Sequence, residues 1–189
     1  IQTLVNAYNR ILTEANGAAA DINAAANPTA ADFAAIGAST AAGLADGSAA
    51  QSLLNTAIGA QTTSGVDSVA KIEALALRAQ AILATAAGNA PTPALTEADF
   101  SALGISGVTP HNLAFVLTKI AASADNGSAV DTLVKLQSLV TQAASDAVAA
   151  ALLTVQTYAG DANNAFAGTA PVLNDYLLLG ITGVDAGNL

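Results

Sequence analysis

The chain has 189 residues, 53% of them hydrophobic and only 4% aromatic, with a net charge of -9 and a pI near 4.1. That acidity is the reverse of the basic surface needed to neutralise nucleic-acid phosphates, which excludes nucleic acid as a main partner. Cysteine is absent, so disulfides, thiol catalysis and thiolate metal sites are excluded as well.

Alanine makes up about a quarter of the residues. It is the best intrinsic helix former and loses no side-chain entropy on folding, so the expected fold class is all-α, with helices packed closely through small side chains. In chain order, "IQTLVNAYNRIL" at residues 1–12 opens in a helical frame. Thr29 and Asp32 have the spacing of a capping box and begin a short helix through "DFAAIG". Ser64 and Asp67 repeat that spacing ahead of "SGVDSVAKIEALALRAQ", which predicts a long helix stopping near Gly88. A second short helix opens at Thr96 with Asp99 and stops at Gly104, where a left-handed cap fits. A further helix is expected after Thr109, with Pro110 at its first position, burying Leu113, Val116, Leu117 and Ile120 before the break at "ADNG". Ser128 and Asp131 then predict the start of the longest helix, about 29 residues or roughly 43 Å at 1.5 Å per residue. Its apolar stripe runs Leu133, Leu136, Val140, Ala144, Ala147, Ala151, Val155, Tyr158, and it ends near Gly160. Loops containing Pro28, Pro91, Pro93 and Pro171 follow the long helices. In the last short helix Val172 stands where Thr96 does, so a different cap is required, with Asn174 the candidate.

These elements recur. "SGVDSVAKIEALALRAQ" from Ser64 aligns with "SAVDTLVKLQSLVTQAA" from Ser128, and "DFAAIG", "DFSALGISGV" and "DYLLLGITGV" start at Asp32, Asp99 and Asp175. The period is about 65 residues, the length of a supersecondary unit that stacks on its neighbours. The expected organisation is three helical units, at 1–65, 66–129 and 130–189, the last truncated. "GVTPHNL" continues past Leu113 into a helix, whereas its counterpart "GVDAGNL" reaches Leu189. A chain starting at Ile1 and lacking methionine is accordingly expected to be a mature or excised piece of something longer. Phe33, Phe100 and Tyr176 are the expected core anchors, and the Ile/Val pair after each short helix plugs the turn. Ser106 and Thr182, in the loops, are the positions left to touch a partner. The longest helix exceeds what one small bundle can cover, so it is expected to close one unit and open the next, giving an elongated array with nearest-neighbour contacts only.

Chemistry is sparse. His111 is the only histidine, and no G-x-S-x-G elbow accompanies it, so an exposed first-turn residue is the expected role. "DNGSAVD" at 125–131 and "DANN" at 161–164 carry oxygens of the kind calcium uses, but lack the alternating acidic pattern and distal glutamate of a calcium loop. The glycines form no phosphate-binding loop. No catalytic, cofactor-binding or metal-ligating residue is assigned, and no enzymatic activity is expected. The longest apolar stretches, such as "AVAAALLTV" at 147–155, are short and bounded by polar residues, so no transmembrane segment is read from them.

The units resemble the Ala-rich, Cys-free helical repeats of giant bacterial surface and secreted adhesins, chiefly through "LTEADFSALGISGVTPHNLAFVLTKIA" from Leu95. The resemblance implies an extracellular or cell-surface stalk or filament whose partners are neighbouring repeats of the same polypeptide and, in a fibre, other copies of the chain. A weaker likeness from Leu103 to Val140 is to the three-helix albumin-binding modules of surface proteins, and it transfers no binding residue. The expected function is a structural repeat acting as spacer or scaffold. The alternative is a three-helix binding module for a host or matrix protein, which requires a contiguous apolar patch outside the cores.

Overall fold

A computed structural model describes residues 1–18, 27–160, 168–185 and 187–189. Among them every regular element is a helix: α1 (Gln2–Glu14), α2 (Ala30–Ile36), α3 (Ser39–Ala42), α4 (Ala49–Ala60), α5 (Val69–Ala86), α6 (Glu97–Leu103), α7 (Leu113–Ala121), α8 (Leu133–Ala159) and α9 (Leu173–Leu178). The fold is all-α.

The short helices are made locally. At α2, the Thr29 hydroxyl accepts from the Asp32 N–H at 3.3 Å while the Asp32 carboxylate accepts from the Thr29 N–H at 2.9 Å, so two otherwise orphaned donors are satisfied. At α6 the Asp99 carboxylate accepts from the Thr96 N–H at 2.9 Å. Gly37 and Gly104 end these helices at φ 82 and 93, the left-handed region that glycine enters without steric cost. In α9 only the aspartate half survives: Asp175 accepts from the Val172 N–H at 2.8 Å. Asn174, the expected cap, bonds elsewhere.

The long helices start later than expected. α5 begins at Val69 and α8 at Leu133, where Thr132 is the N-cap and accepts from the Lys135 N–H. The Ser64–Asp67 and Ser128–Asp131 spacings are therefore not capping boxes. Their aspartates reach forward: Lys71 Nζ donates to Asp67 at 2.8 Å and to the Ser64 carbonyl at 2.7 Å, and Lys135 Nζ donates to Asp131 and to the Ser128 carbonyl at 2.9 Å. At both helix starts the lysine ties the preceding turn to the first turn of the helix. α7 likewise starts at Leu113 rather than at Pro110, because Thr109 to Asn112 form a turn held by a 2.8 Å bond from the Thr109 N–H to Asn112 Oδ1.

α5 packs on α3, α4, α6 and α7, and α8 packs on α4, α7 and α9. One hydrophobic cluster runs from Ile11 to Ala143, with Phe33, Phe100, Leu53, Leu54, Ile72, Ile82, Leu103 and Ile120 fully buried in it. The buried stripe of α8 is Leu133, Leu136, Val140, Ala143, Ala147 and Ala151, much as its periodicity predicts, but Tyr158 is exposed. Contacts are not restricted to consecutive stretches of sequence. α4 touches α8, and the buried Thr56 hydroxyl accepts from the Leu133 N–H at 3.1 Å, so the first expected unit touches the third. Gly127, at φ 75, lies where a Cβ would fall 1.9 Å from Leu83 Cδ1 and 3.2 Å from Ala49, which locks the turn before α8 onto α5 and α4.

Candidate functional site

The two arginines and three lysines are all engaged inside the fold. Arg10 meets Asp32 at 3.0 Å and Arg78 meets Asp99 at 3.1 Å, so in each of two units the aspartate that caps the short helix is also gripped from the long helix before it. Burial pushes the Asp99 carboxyl up, but hydrogen bonds from the Thr96 side chain and backbone, with the Arg78 charge, outweigh it and hold the group below its ordinary value of 3.8. The Ala30 N–H and then the Gln51 amide hold Asp46 low in the same way, tying the α2 start to the turn before α4.

A second grip comes from the following long helix. Glu73 of α5 accepts from the Thr40 N–H at 2.9 and 3.0 Å. At the aligned position of α8, Gln137 accepts from the Ser106 N–H at 2.9 Å and donates to the Ser106 carbonyl at 3.0 Å. Leu133 reaches the same loop, 3.9 Å from where a Gly104 Cβ would stand. Ser106 is thus occupied within the chain. Its counterpart Thr182 lies in an exposed loop.

The loops after α6 and α9 share another device. Asn112 donates to the Gly107 carbonyl at 2.8 Å and Asn188 donates to the Gly183 carbonyl at 2.8 Å, while each amide oxygen accepts the N–H three residues earlier, Thr109 or Asp185. The conformation is the same, but the cover is not. Phe100 and Leu103 are fully buried and Ile105 is 4% exposed; Tyr176 and Leu179 are half-buried and Ile181 is 41% exposed. Tyr176 is in place as an anchor without a core around it. α9 has no buried residue, and Val148, Leu152, Leu153 and Tyr158 on the second half of α8 are exposed. Val148, Leu152 and Val155 fall on one helical stripe beside the buried Ala147 and Ala151. This open apolar face is the candidate site.

The residues singled out for chemistry lie elsewhere. His111 is half-buried rather than exposed: its Nδ1 pairs with Asn174 Oδ1 at 3.0 Å and its carbonyl accepts from Asn174 Nδ2 at 3.1 Å, pinning α9 to the turn before α7. At 125–131 the Asn126 oxygen accepts from the Ser128 N–H and Asp131 faces Lys135, so these oxygens serve the turn. Residues 161–164 lie outside the described residues. Among the described residues no three His, Cys, Asp or Glu side chains group as metal ligands. A cleft of about 400 Å³ beside α5 is lined by Leu77, Arg78, Pro91, Pro93, Leu95 and Asp99, and its arginine is committed to Asp99 and the Ala74 carbonyl.

α8 as a whole, 27 residues, is long and apolar enough to cross a membrane by length and composition, which the short apolar runs of the sequence do not reveal. Its first half is packed against α4 and α7, and it carries Lys135, Gln137 and Asp146 in hydrogen bonds. Comparison with protein-family models, curated proteins and solved structures finds no match to this chain.

Proposed function

We propose that the chain is a structural repeat segment of an extracellular bacterial surface adhesin, stalk or filament, acting as spacer and scaffold rather than as an enzyme. One observation carries this reading: comparable grips recur along the chain, Arg10 and Arg78 on the capping aspartates, and Glu73 and Gln137, at aligned positions, on the backbone behind the short helices. On this reading the arginine pairs brace each unit from within and Glu73 and Gln137 seat one unit on the next, which is what a load-spacing array requires. The acidic surface keeps such an array soluble and the resemblance to adhesin repeats gives it a cell-surface setting. Chains of one, two and three tandem copies test it: small-angle scattering and electron microscopy should show length growing by a constant increment per copy. Copies that collapse on one another, or pivot freely at each junction, overturn it.

The exposed apolar face on α8 and α9 favours a second reading, a binding module for a host or matrix protein. Albumin or matrix-protein binding by the intact chain, lost in Leu152→Lys, is the result that selects it.

A further inference from the structure

The open face has a covered counterpart in the same molecule. α6 packs on α5 and on the end of α4, where Ala60 lies beside Gly104, and later elements add to its cover: α7 lies on α5, and the first turns of α8 lie over the loop after α6 through Leu133 and Gln137. The α9 loop repeats the α6 loop in sequence and in its asparagine bridge, and Leu189 stands where Leu113 begins α7. The aligned isoleucines differ in cover, Ile105 at 4% and Ile181 at 41% exposed.

We infer that the α8–α9 face docks a helical hairpin of the same repeat type. The hairpin is an amphipathic helix with apolar positions spaced as Leu113, Val116, Leu117 and Ile120, followed by an S-x-V-D-x-x-x-K-x-Q start of a long helix. The inference rests on the repeat reading, because the internal α6–α7–α8 interface defines the missing side. The first helix fills the stripe of Val148, Leu152 and Val155 and covers Tyr176. The long helix brings its leucine over Gly180 and its glutamine onto the Thr182 backbone, whose N–H and carbonyl correspond to those Gln137 holds at Ser106. The occupant is not a second copy of the chain as it stands, since its α7 and the start of α8 are already buried in its own core: Val116, Ile120, Leu133 and Leu136 are all closed off.

The test extends the full chain past Leu189 with a copy of residues 114–144, which continues the frame set by Leu113. Amide hydrogen exchange at 175–184 should slow by at least about 10-fold, approaching 99–108, which serve as the internal standard. Changing the copy of Gln137 to alanine, or Leu152→Lys, should remove that protection without altering 99–108. Leu152 is exposed, so the lysine leaves the existing core intact. A free peptide of residues 107–144 added to the unextended chain should give the same pattern of protection. Unchanged exchange in the extended chain overturns the inference, as does protection that survives both substitutions. So does sedimentation showing that the unextended chain dimerises through this face, or Leu152-dependent adhesion to phosphatidylcholine or phosphatidylglycerol vesicles without hairpin protection. Constant length increments in tandem copies together with no hairpin protection would leave the spacer reading standing and remove this one.

Discussion

Phe100 and Tyr176 occupy aligned positions in sequence yet opposite environments, and replacing each with alanine separates packing from pattern. Phe100 is fully buried in the cluster that also holds Leu103, Ile105 and Ile120. An aromatic side chain of this kind removes 150–250 Å² from water, worth about 4–6 kcal/mol at roughly 25 cal/mol per Å², and alanine retains part of it. Adding the cavity left behind, Phe100→Ala is expected to cost about 3–5 kcal/mol. With a urea m-value of about 2 kcal/mol/M, the unfolding midpoint should fall by roughly 1.5–2.5 M. Tyr176 is half-buried on a helix with no buried residue, so Tyr176→Ala should cost under about 1 kcal/mol and leave the main transition in place. Urea titration followed by circular dichroism at 222 nm measures both. Equal losses for the two variants, or a Phe100→Ala cost below about 1 kcal/mol, would refute the claim that burial rather than motif membership sets the energetics.

Gly127→Ala should destabilise by at least about 1 kcal/mol, since the added methyl meets Leu83 and Ala49 at a positive φ; thermal melting of the variant checks it, and an unchanged midpoint refutes it. His111→Ala should loosen α9 alone, seen as faster amide exchange at 173–178 with the unfolding midpoint lowered by no more than about 1 kcal/mol equivalent, because it removes the Asn174 pairing at one edge. The lowered pKa values of Asp46 and Asp99 mean that their stabilisation is fully present above the ordinary carboxyl value of 3.8 and is lost as pH falls through the lower folded values. Thermal midpoints should therefore drop steeply below that point, and Asp99→Asn should flatten the drop; a variant whose acid profile matches the unmodified chain contradicts the assignment.

What the sequence discloses here follows from how far each interaction reaches. The short helices are legible because Thr29 with Asp32 and Thr96 with Asp99 act within one turn, and the glycine that ends each helix does so by backbone conformation alone. The Ser64–Asp67 and Ser128–Asp131 spacings imitate the same capping signal, but an aspartate four residues before a lysine has a second choice. Lys71 and Lys135 win it by also satisfying a backbone carbonyl, which moves the helix starts to Val69 and Leu133. The arginine grips are visible in hindsight as the chain's two arginines, each placed ahead of a capping aspartate, yet spacing alone does not say that the helix turns that face inward. Glu73 and Gln137 align but differ in charge; what they share is an acceptor oxygen aimed at a backbone N–H, of Thr40 in the first turn of α3 or of Ser106 in the loop after α6, a property of the folded backbone and not of either residue. The partial cover of Tyr176 is a matter of neighbours, and no reading of "DYLLLG" by itself contains it.

The direction of these grips carries a mechanical consequence. Arg10 and Arg78 reach forward from a helix to the short helix that follows, whereas Glu73 reaches backward to the first turn of α3 and Gln137 to the loop after α6. The α2–α3 segment, and α6 with the loop after it, are therefore each held by two different long helices, through an ion pair from one and a backbone-directed hydrogen bond from the other. Among the described residues, Asp175 of α9 pairs with none of the five cationic side chains, and no long-helix side chain grips the loop after α9 as Gln137 grips Ser106. If the repeat reading holds, stiffness is a property of junctions, because the cover of α6 includes the start of the next long helix through Leu133 and Gln137.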